Sequence, residues 1–130
     1  MKNQKTILIA DDDIDYLYQI KLKVEQLGFN VITAESQAEA EKILQKIKPD
    51  LAIFDLMMET EDSGFILTYK FKKQYPDIPV IILTAVTAET GISFGNEISN
   101  ENKWIKADVF LDKSLQTEKL QREINKLLKI

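Results

Sequence analysis

Five short apolar runs alternate with longer stretches of helical periodicity along this chain. The runs predict strands at residues 6–10, 30–33, 51–54, 80–83 and 109–111. Such alternation is typical of an α/β protein with a mainly parallel sheet. The first, third and fourth runs are almost continuously apolar, as strands covered on both faces are. We therefore expect those three strands at the centre of the sheet.

The stretches between the runs predict helices with recognisable ends. Helical spacing covers residues 16–27, and Gly28 stands where a left-handed cap would end that helix. Ser36 and Glu39 form a capping box for a second helix, whose apolar stripe continues to residue 47 and which Pro49 closes. Further helices are predicted at 64–74 and 115–128. Residues 87–107 hold several Gly and Asn, which predict a short or irregular helix with a long loop.

Polar side chains follow four of the predicted strands. They are, in chain order, Asp11, Asp12, Asp13, Asp55, Thr84 and Lys113. In an open parallel sheet, ligands bind outside the carboxyl ends of the strands, so these groups are expected to meet there. Hard cations take carboxylate oxygens, and a lysine neutralises phosphate oxygens as a point charge. The pattern predicts a site for Mg²⁺ and a phosphoryl group.

The chemistry expected at this edge is phosphoryl transfer to a carboxylate. A free carboxylate beside the metal can attack phosphorus and form an aspartyl phosphate. Positioning and charge neutralisation dominate such transfers, so Mg²⁺, Lys113 and the Thr84 hydroxyl would be enough. Asp13 is better explained as the cap of the following helix than as a ligand. Crowding of like charges predicts at least one raised carboxylate pKa.

Composition narrows the function classes. At 130 residues and 45% hydrophobic content, the expectation is one domain spanning 1–130. The net charge of −4 and the lack of a basic stripe argue against direct nucleic-acid binding. No run approaches membrane-spanning length, so a cytoplasmic protein without a membrane partner is predicted. The chain has no Cys and no His, so a phosphohistidine donor must belong to a partner.

Four segments resemble the receiver domain of bacterial two-component response regulators. ILIADDD at 7–13 is similar to its first strand and acid pair, and FDLMM at 54–58 to its phosphoacceptor segment. VIILTA at 80–85 is similar to its fourth strand, and FLDK at 110–113 to its lysine segment. The resemblance covers the whole chain. It implies the flavodoxin-like, doubly wound (βα)₅ fold with a parallel five-stranded sheet of order 2-1-3-4-5.

The same resemblance implies an acceptor and a metal site. Asp55 would accept a phosphoryl group from a partner histidine kinase or histidine phosphotransfer protein. Asp12, Asp55 and the Met57 backbone carbonyl would bind Mg²⁺, with Asp11 assisting through water.

It also implies a switch. Lys113 would contact the phosphoryl oxygens, Thr84 would turn inward to bond one of them, and the Phe110 rotamer would report the change. The surface of the fourth helix, fifth strand and fifth helix would then bind an unknown downstream protein. The resemblance implies a switch rather than a turnover enzyme, with self-dephosphorylation at most slow. We expect a monomer or weak dimer, although the sequence does not determine the oligomeric state. A chain of this length resembles the stand-alone type.

Several positions depart from the family pattern. Ser114 stands where the family usually has a proline with a cis bond, so cis geometry is not assumed there. After the acceptor, the family often has Met-Met-Pro and a tight glycine turn, whereas residues 57–64 here read MMETEDSG, an acidic and longer loop. Phe110 lacks the hydroxyl of the commoner tyrosine. The stretch from Thr84 to Lys113 is longer than is typical and carries Trp104, which we expect to pack on the core rather than bind a partner.

Two apolar positions bear on the phosphoryl lifetime. Met57 and Val86 lie two residues beyond the acceptor and the threonine, respectively. Neither side chain can orient an attacking water, so we hypothesise slow self-dephosphorylation. A Met57→Asn variant with no faster dephosphorylation would count against this hypothesis.

Two rival functions remain at the sequence level. A hydrolase of the haloacid dehalogenase type also uses an aspartyl nucleophile with Mg²⁺, but its Asp-x-Asp pattern occurs here only trivially and no cap domain fits in this length. A degenerate receiver would act as a constitutive protein-interaction module. Such a module would be marked by loss of the acceptor, the acid pair or the lysine, and all of these are present.

Overall fold

A five-stranded parallel sheet organises the protein. The computed structural model describes residues 4–84, 107–114 and 116–130. Its strands are β1 (Thr6–Ala10), β2 (Asn30–Ala34), β3 (Leu51–Asp55), β4 (Val80–Thr84) and β5 (Val109–Asp112). They pair in parallel in the order β2-β1-β3-β4-β5, which confirms the predicted order and its three central strands.

Helices cover both faces of the sheet. They are α1 (Ile14–Gln26), α2 (Gln37–Leu44), α3 (Ser63–Gln74) and α4 (Thr117–Leu128). The predicted segment before β5, with Trp104, lies outside the described residues, so α4 here is the fifth helix of the (βα)₅ order. None of the helices in the described ranges combines the length and apolarity needed to cross a bilayer.

Alternate residues of the central strands pack into two separate hydrophobic cores, one on each face of the sheet. Ile7 and Ile9 of β1 pack with α1 and α4 on one face. Leu8 and Ala10 of the same strand pack with α2 and α3 on the other face. Successive side chains of a strand point to opposite faces, so a strand buried on both must be apolar throughout. This is why β1, β3 and β4 lack the polar alternation of a half-exposed strand.

Four of the five strands run one residue further than predicted. Two of the added residues matter for the site, because Asp55 ends β3 and Thr84 ends β4. Sheet pairing therefore fixes the backbone of both residues, and neither side chain starts from a loop.

The predicted end of the second helix was wrong. α2 ends at Leu44, and Ile47, which the apolar stripe had included, is exposed. The Gln45 and Lys46 amides donate to carbonyls three residues back, so the last turn tightens and the chain leaves the helix before Pro49.

Local signals at the other helix ends behave as expected. Asp13 is the N-cap of α1, and its side chain accepts from the Tyr16 amide at 3.2 Å. Gly28 follows α1 with φ +101°, which is the left-handed region that favours glycine. The Ser36 hydroxyl accepts from the Glu39 amide at 3.0 Å.

Lys113 and Ser114 are joined by a trans peptide bond.

Candidate functional site

Three carboxylates meet at the carboxyl edge of β1 and β3. Asp11 and Asp12 follow β1, and Asp55 is the last residue of β3. One oxygen from each lies within 4.8 Å of the others. Asp11 is 2% exposed and Asp55 6%, whereas Asp12 faces solvent. A set of oxygen donors that is buried on one side and open on the other fits Mg²⁺, which keeps several waters and takes few protein ligands.

Lys113 brings a positive charge into the same cluster. Its Nζ lies 2.9 Å from Asp11 Oδ2 and 3.1 Å from Asp55 Oδ1. The backbone position of Lys113 follows from the sheet, because its amide donates to the Thr84 carbonyl at 3.0 Å, just beyond the paired ends of β4 and β5. The lysine thus neutralises two buried carboxylates that would otherwise repel each other.

The capped start of α1 orients Asp11. The Asp13 amide donates to Asp11 Oδ1 at 2.8 Å, while Lys113 takes the other oxygen. Asp13 therefore contributes through its backbone and caps α1 through its side chain, which confirms its predicted role as the helix cap.

Tyr16 is a site neighbour that the sequence reasoning missed. Its hydroxyl donates to the Lys113 backbone carbonyl at 3.1 Å, and its ring centroid lies 4.7 Å from Lys113 Nζ. In the sequence, Tyr16 is only the first residue of the helical spacing at 16–27. Its one distinguishing signal was an aromatic ring with a polar tip, one helical turn beyond the acid pair.

The electrostatics of the cluster raise one carboxyl pKa, as expected. Burial, followed by the negative charge of Asp11, raises the pKa of Asp55 to about 6, although Lys113 acts in the opposite direction. Burial acts to lower the pKa of Lys113, but hydrogen bonds and charge from Asp11 and Asp55 outweigh it, and that pKa is raised. The lysine therefore stays charged at neutral pH, whereas Asp55 is poised between its two forms near pH 6.

Thr84, Phe110 and Met57 are the other predicted residues that the structure describes. Thr84 is buried at the end of β4. Phe110 of β5 is half-buried, and its ring stands edge-on to that of Phe65 with 6.0 Å between centroids. The Met57 side chain is exposed in the loop after β3. Val86 lies outside the described residues.

The acidic loop after β3 is closed by one hydrogen bond at its base and held to α2 by two others. The Gly64 amide donates to the Leu56 carbonyl at 2.7 Å where α3 begins. Glu59 spans to α2, where its two carboxylate oxygens accept from the Gln37 and Ala38 amides at 2.8 and 3.0 Å. Burial is the largest single influence and acts to raise the pKa of Glu59, but the backbone hydrogen bonds together outweigh it, and that pKa is lowered. The loop that differs from the family pattern is therefore tied to the first turn of α2.

Comparisons with known proteins identify the family. The model of the response regulator receiver domain matches residues 7–125. The chain is 43% identical over 79 residues to the transcriptional regulatory protein GlrR of Escherichia coli K12, covering 61% of this chain and 18% of that protein. It is 31% identical over 127 residues to the probable transcriptional regulator ycf27 of Cyanophora paradoxa, covering 98% and 49%. The chain thus spans less than half the length of either relative.

Solved structures agree in fold. A CheY-like receiver domain from Methanospirillum hungatei superposes with a TM-score of 0.83 at 26% identity, covering 98% of this chain and 95% of that one. The receiver domain of the Francisella response regulator 1452 gives 0.78 at 28% identity, covering 97% and 98%. With its matched sequence, its 2-1-3-4-5 sheet and its cluster of acids at the strand ends, this chain belongs to the receiver domain family of two-component response regulators.

Proposed function

We propose that this receiver domain is a phosphorylation-dependent switch in which Asp55 accepts a phosphoryl group from a phosphohistidine on a partner kinase or phosphotransfer protein. The observation that carries the proposal is the placement of Asp55. It is the buried carboxylate at the end of β3 that contacts Lys113 and shares a cluster with Asp11 and Asp12.

The transfer is a displacement at phosphorus. A carboxylate oxygen of Asp55 forms the new P–O bond, the P–N bond of the phosphohistidine breaks, and the imidazole nitrogen keeps the bonding electron pair. Bound Mg²⁺ supplies charge neutralisation for the phosphoryl oxygens. Asp11, Asp12, Asp55 and the Met57 carbonyl are the proposed groups around the metal. Lys113, already 3.1 Å from Asp55, neutralises a phosphoryl oxygen.

The output is a change in the surface around β5 and α4. Thr84 ends the strand next to β3, which places it beside the acceptor strand, and we assign its hydroxyl to a phosphoryl oxygen. Phe110 lies on the neighbouring strand against Phe65, and its rotamer would follow. Another protein or domain would recognise the altered surface. Domains of this family act as signalling switches rather than as conventional enzymes.

An exposed apolar stripe supports docking of the donor beside the site. Ile14, Tyr18 and Leu22 are 51%, 60% and 40% exposed at successive turns of α1, which begins directly after the acid cluster. Residues spaced by four lie on one helix face, and such a face fits the apolar side of a partner helix. A donor bound there would lie close to Asp55.

Intact-protein mass tests the proposal most directly. The wild type and Asp55→Asn are incubated with Mg²⁺ and acetyl phosphate, whose P–O bond breaks to release acetate. We expect one phosphoryl mass on the wild type alone, and loss of that gain when the metal is chelated. Equal gain by the Asn variant would place the acceptor elsewhere.

The alternative function is a constitutive protein-interaction module. It predicts no phosphoryl gain from acetyl phosphate or from a phosphorylated histidine phosphotransfer protein. It also predicts partner binding that Asp55→Asn leaves unchanged. The acid cluster and its lysine favour the switch, because a module without chemistry has no need for buried carboxylates that repel each other.

A further inference from the structure

Tyr16 contacts Lys113 in two independent ways. Its hydroxyl donates to the Lys113 backbone carbonyl at 3.1 Å, and its ring lies 4.7 Å from the Nζ of the same lysine. The two residues are 97 positions apart in the sequence, so only the sheet topology brings them together. One contact fixes the backbone of the lysine and the other its charged end.

A lysine needs such support more than most groups that bind phosphate. Its ammonium is a compact charge on a flexible four-carbon stem, which loses considerable rotamer freedom when it is held in one place. The backbone of Lys113 lies between a hydrogen bond from its amide to Thr84 and one from Tyr16 to its carbonyl. The peptide bond that follows leads to Ser114, which lacks the rigid ring of a proline.

Tyr16 is itself held by the acid end of the site. Its amide donates to Asp13 Oδ1, and the Asp13 amide donates to Asp11 Oδ1. Asp11 in turn contacts Lys113 at 2.9 Å, which closes a ring of contacts. Burial raises the pKa of Tyr16 to about 12, against the influence of Lys113, so the hydroxyl keeps its proton and remains a donor at neutral pH.

We propose that Tyr16 is a positioning residue that holds the Lys113 ammonium where it meets the incoming phosphoryl group. This inference rests on the proposed function of Asp55 as acceptor. Tyr16 acts through Lys113 and is assigned no contact with the metal or the phosphoryl group.

Two variants separate the two contacts. Tyr16→Phe removes the hydroxyl bond and keeps the ring, whereas Tyr16→Leu removes both and keeps an apolar side chain. We expect the rate of phosphorylation by acetyl phosphate at saturating Mg²⁺ to fall about 3-fold in the first and about 10-fold in the second. Mg²⁺ affinity should stay within about 2-fold of the wild type, because the lysine is no metal ligand. Unchanged rates, or a parallel loss of metal affinity, would overturn the proposal.

A double-mutant cycle tests whether the effect passes through the lysine. In a Lys113→Met background, Tyr16→Leu should change the rate no further. A full 10-fold loss in that background would show a general structural effect instead. Tyr69→Leu is the matched control, because the ring of Tyr69 lies 5.4 Å from Lys73 Nζ on α3, and its rate should equal that of the wild type.

One measurement is independent of phosphorylation. If the wild type gains no phosphoryl mass, the proposed function fails, and the NMR signals of the lysine ε-methylene groups separately test the contact between Tyr16 and Lys113, which the positioning role requires. The ring current of Tyr16 should shift the Lys113 signal upfield in the metal-free wild type and in Tyr16→Phe. That shift should disappear in Tyr16→Leu, and a signal that stays unchanged in Tyr16→Leu refutes the positioning role.

Discussion

Asp55 is the residue at which stability and chemistry conflict. It is buried beside Asp11, and its pKa is raised to about 6 because burial and like charge disfavour the ionised form, in spite of the ion pair with Lys113. In its proposed role as phosphoryl acceptor, Asp55 must nevertheless be ionised to attack phosphorus. The folded state therefore carries a destabilising charge at neutral pH, and bound metal would relieve it.

The Asp55→Asn variant measures this cost. A raised folded-state pKa contributes stability that is present below the unfolded value near 4 and lost as pH rises through about 6. At pH 7.5 without metal, we expect the free energy of unfolding of the variant to be about 1 to 3 kcal/mol higher than that of the wild type, so the variant is the more stable protein. At pH 4.5 the gap should shrink, since folded Asp55 is then protonated. Urea unfolding at both pH values measures the difference.

The control for that prediction is an exposed carboxylate. Asp77→Asn removes an acid from the turn after α3, and it should change stability by no more than about 0.5 kcal/mol at either pH. If Asp55→Asn were less stable than the wild type at pH 7.5, the ion pair with Lys113 would outweigh the cost of burial.

At the scale of elements, the start of α3 packs tightly on the end of β3, where Asp55 lies. A Cβ added to Gly64 would meet the Asp55 carbonyl oxygen at 2.5 Å and the Leu56 Cα at 2.8 Å. Both atoms belong to the backbone, so neither can move without shifting the end of β3. The glycine therefore sets how closely α3 approaches the site.

Gly64→Ala should consequently impair both stability and phosphorylation. We expect overpacking to lower the free energy of unfolding by about 1 to 3 kcal/mol. We also expect slower phosphorylation by acetyl phosphate, since the backbone of Asp55 must move. Denaturant unfolding and intact mass provide the two readouts.

Gly28→Ala is the matched glycine control. The position has φ +101° and no heavy atom within 4 Å of an added Cβ. Backbone strain should lower the free energy of unfolding of that variant by about 1 kcal/mol, while its phosphorylation rate should equal that of the wild type. Equal phosphorylation rates in both glycine variants would show that the close approach of α3 has no bearing on the chemistry.

The link from Glu59 to α2 also belongs to this scale. Glu59→Ala removes the carboxylate that accepts from the Gln37 and Ala38 amides at the helix start. We expect the free energy of unfolding to fall by about 0.5 to 1 kcal/mol and the hydrogen exchange of those two amides to become faster. Because the folded-state pKa of Glu59 is lowered, its contribution is present above the unfolded pKa and is lost as pH falls through the folded value.

Glu61→Ala, from the same loop, is the control for that link. It should leave the exchange of the Gln37 and Ala38 amides unchanged. Equal exchange rates in Glu59→Ala and the wild type would mean that solvent replaces the carboxylate without loss.

For the whole molecule, the acid cluster should couple ligand binding to folding. Ligands that bind only the folded state raise its stability by mass action. Mg²⁺ with beryllium fluoride, a phosphoryl mimic, should raise the thermal midpoint of the wild type by about 5 to 10 °C. Chelation should reverse the shift. A similar shift in Asp55→Asn would indicate binding away from Asp55.

Much of the fold could be predicted because the relevant signals are local. Apolar runs, capping residues and Gly28 depend on neighbours a few positions away, and these elements formed as expected. The end of α2 was mistaken because the apolar character of Ile47 was assumed to mean burial. Its exposure depends on where the chain must turn to enter β3, which periodicity does not report.

The sequence by itself determined the alternating elements, the set of acids at the strand ends and the family. The tertiary structure decided which charges touch, because contacts such as Lys113 to Asp11 span most of the chain. It alone placed Tyr16 against Lys113 and Glu59 against α2, since neither pair has a spacing that a pattern could show. The physical reason is that helical and strand periods report local geometry, whereas parallel pairing joins distant segments through crossovers.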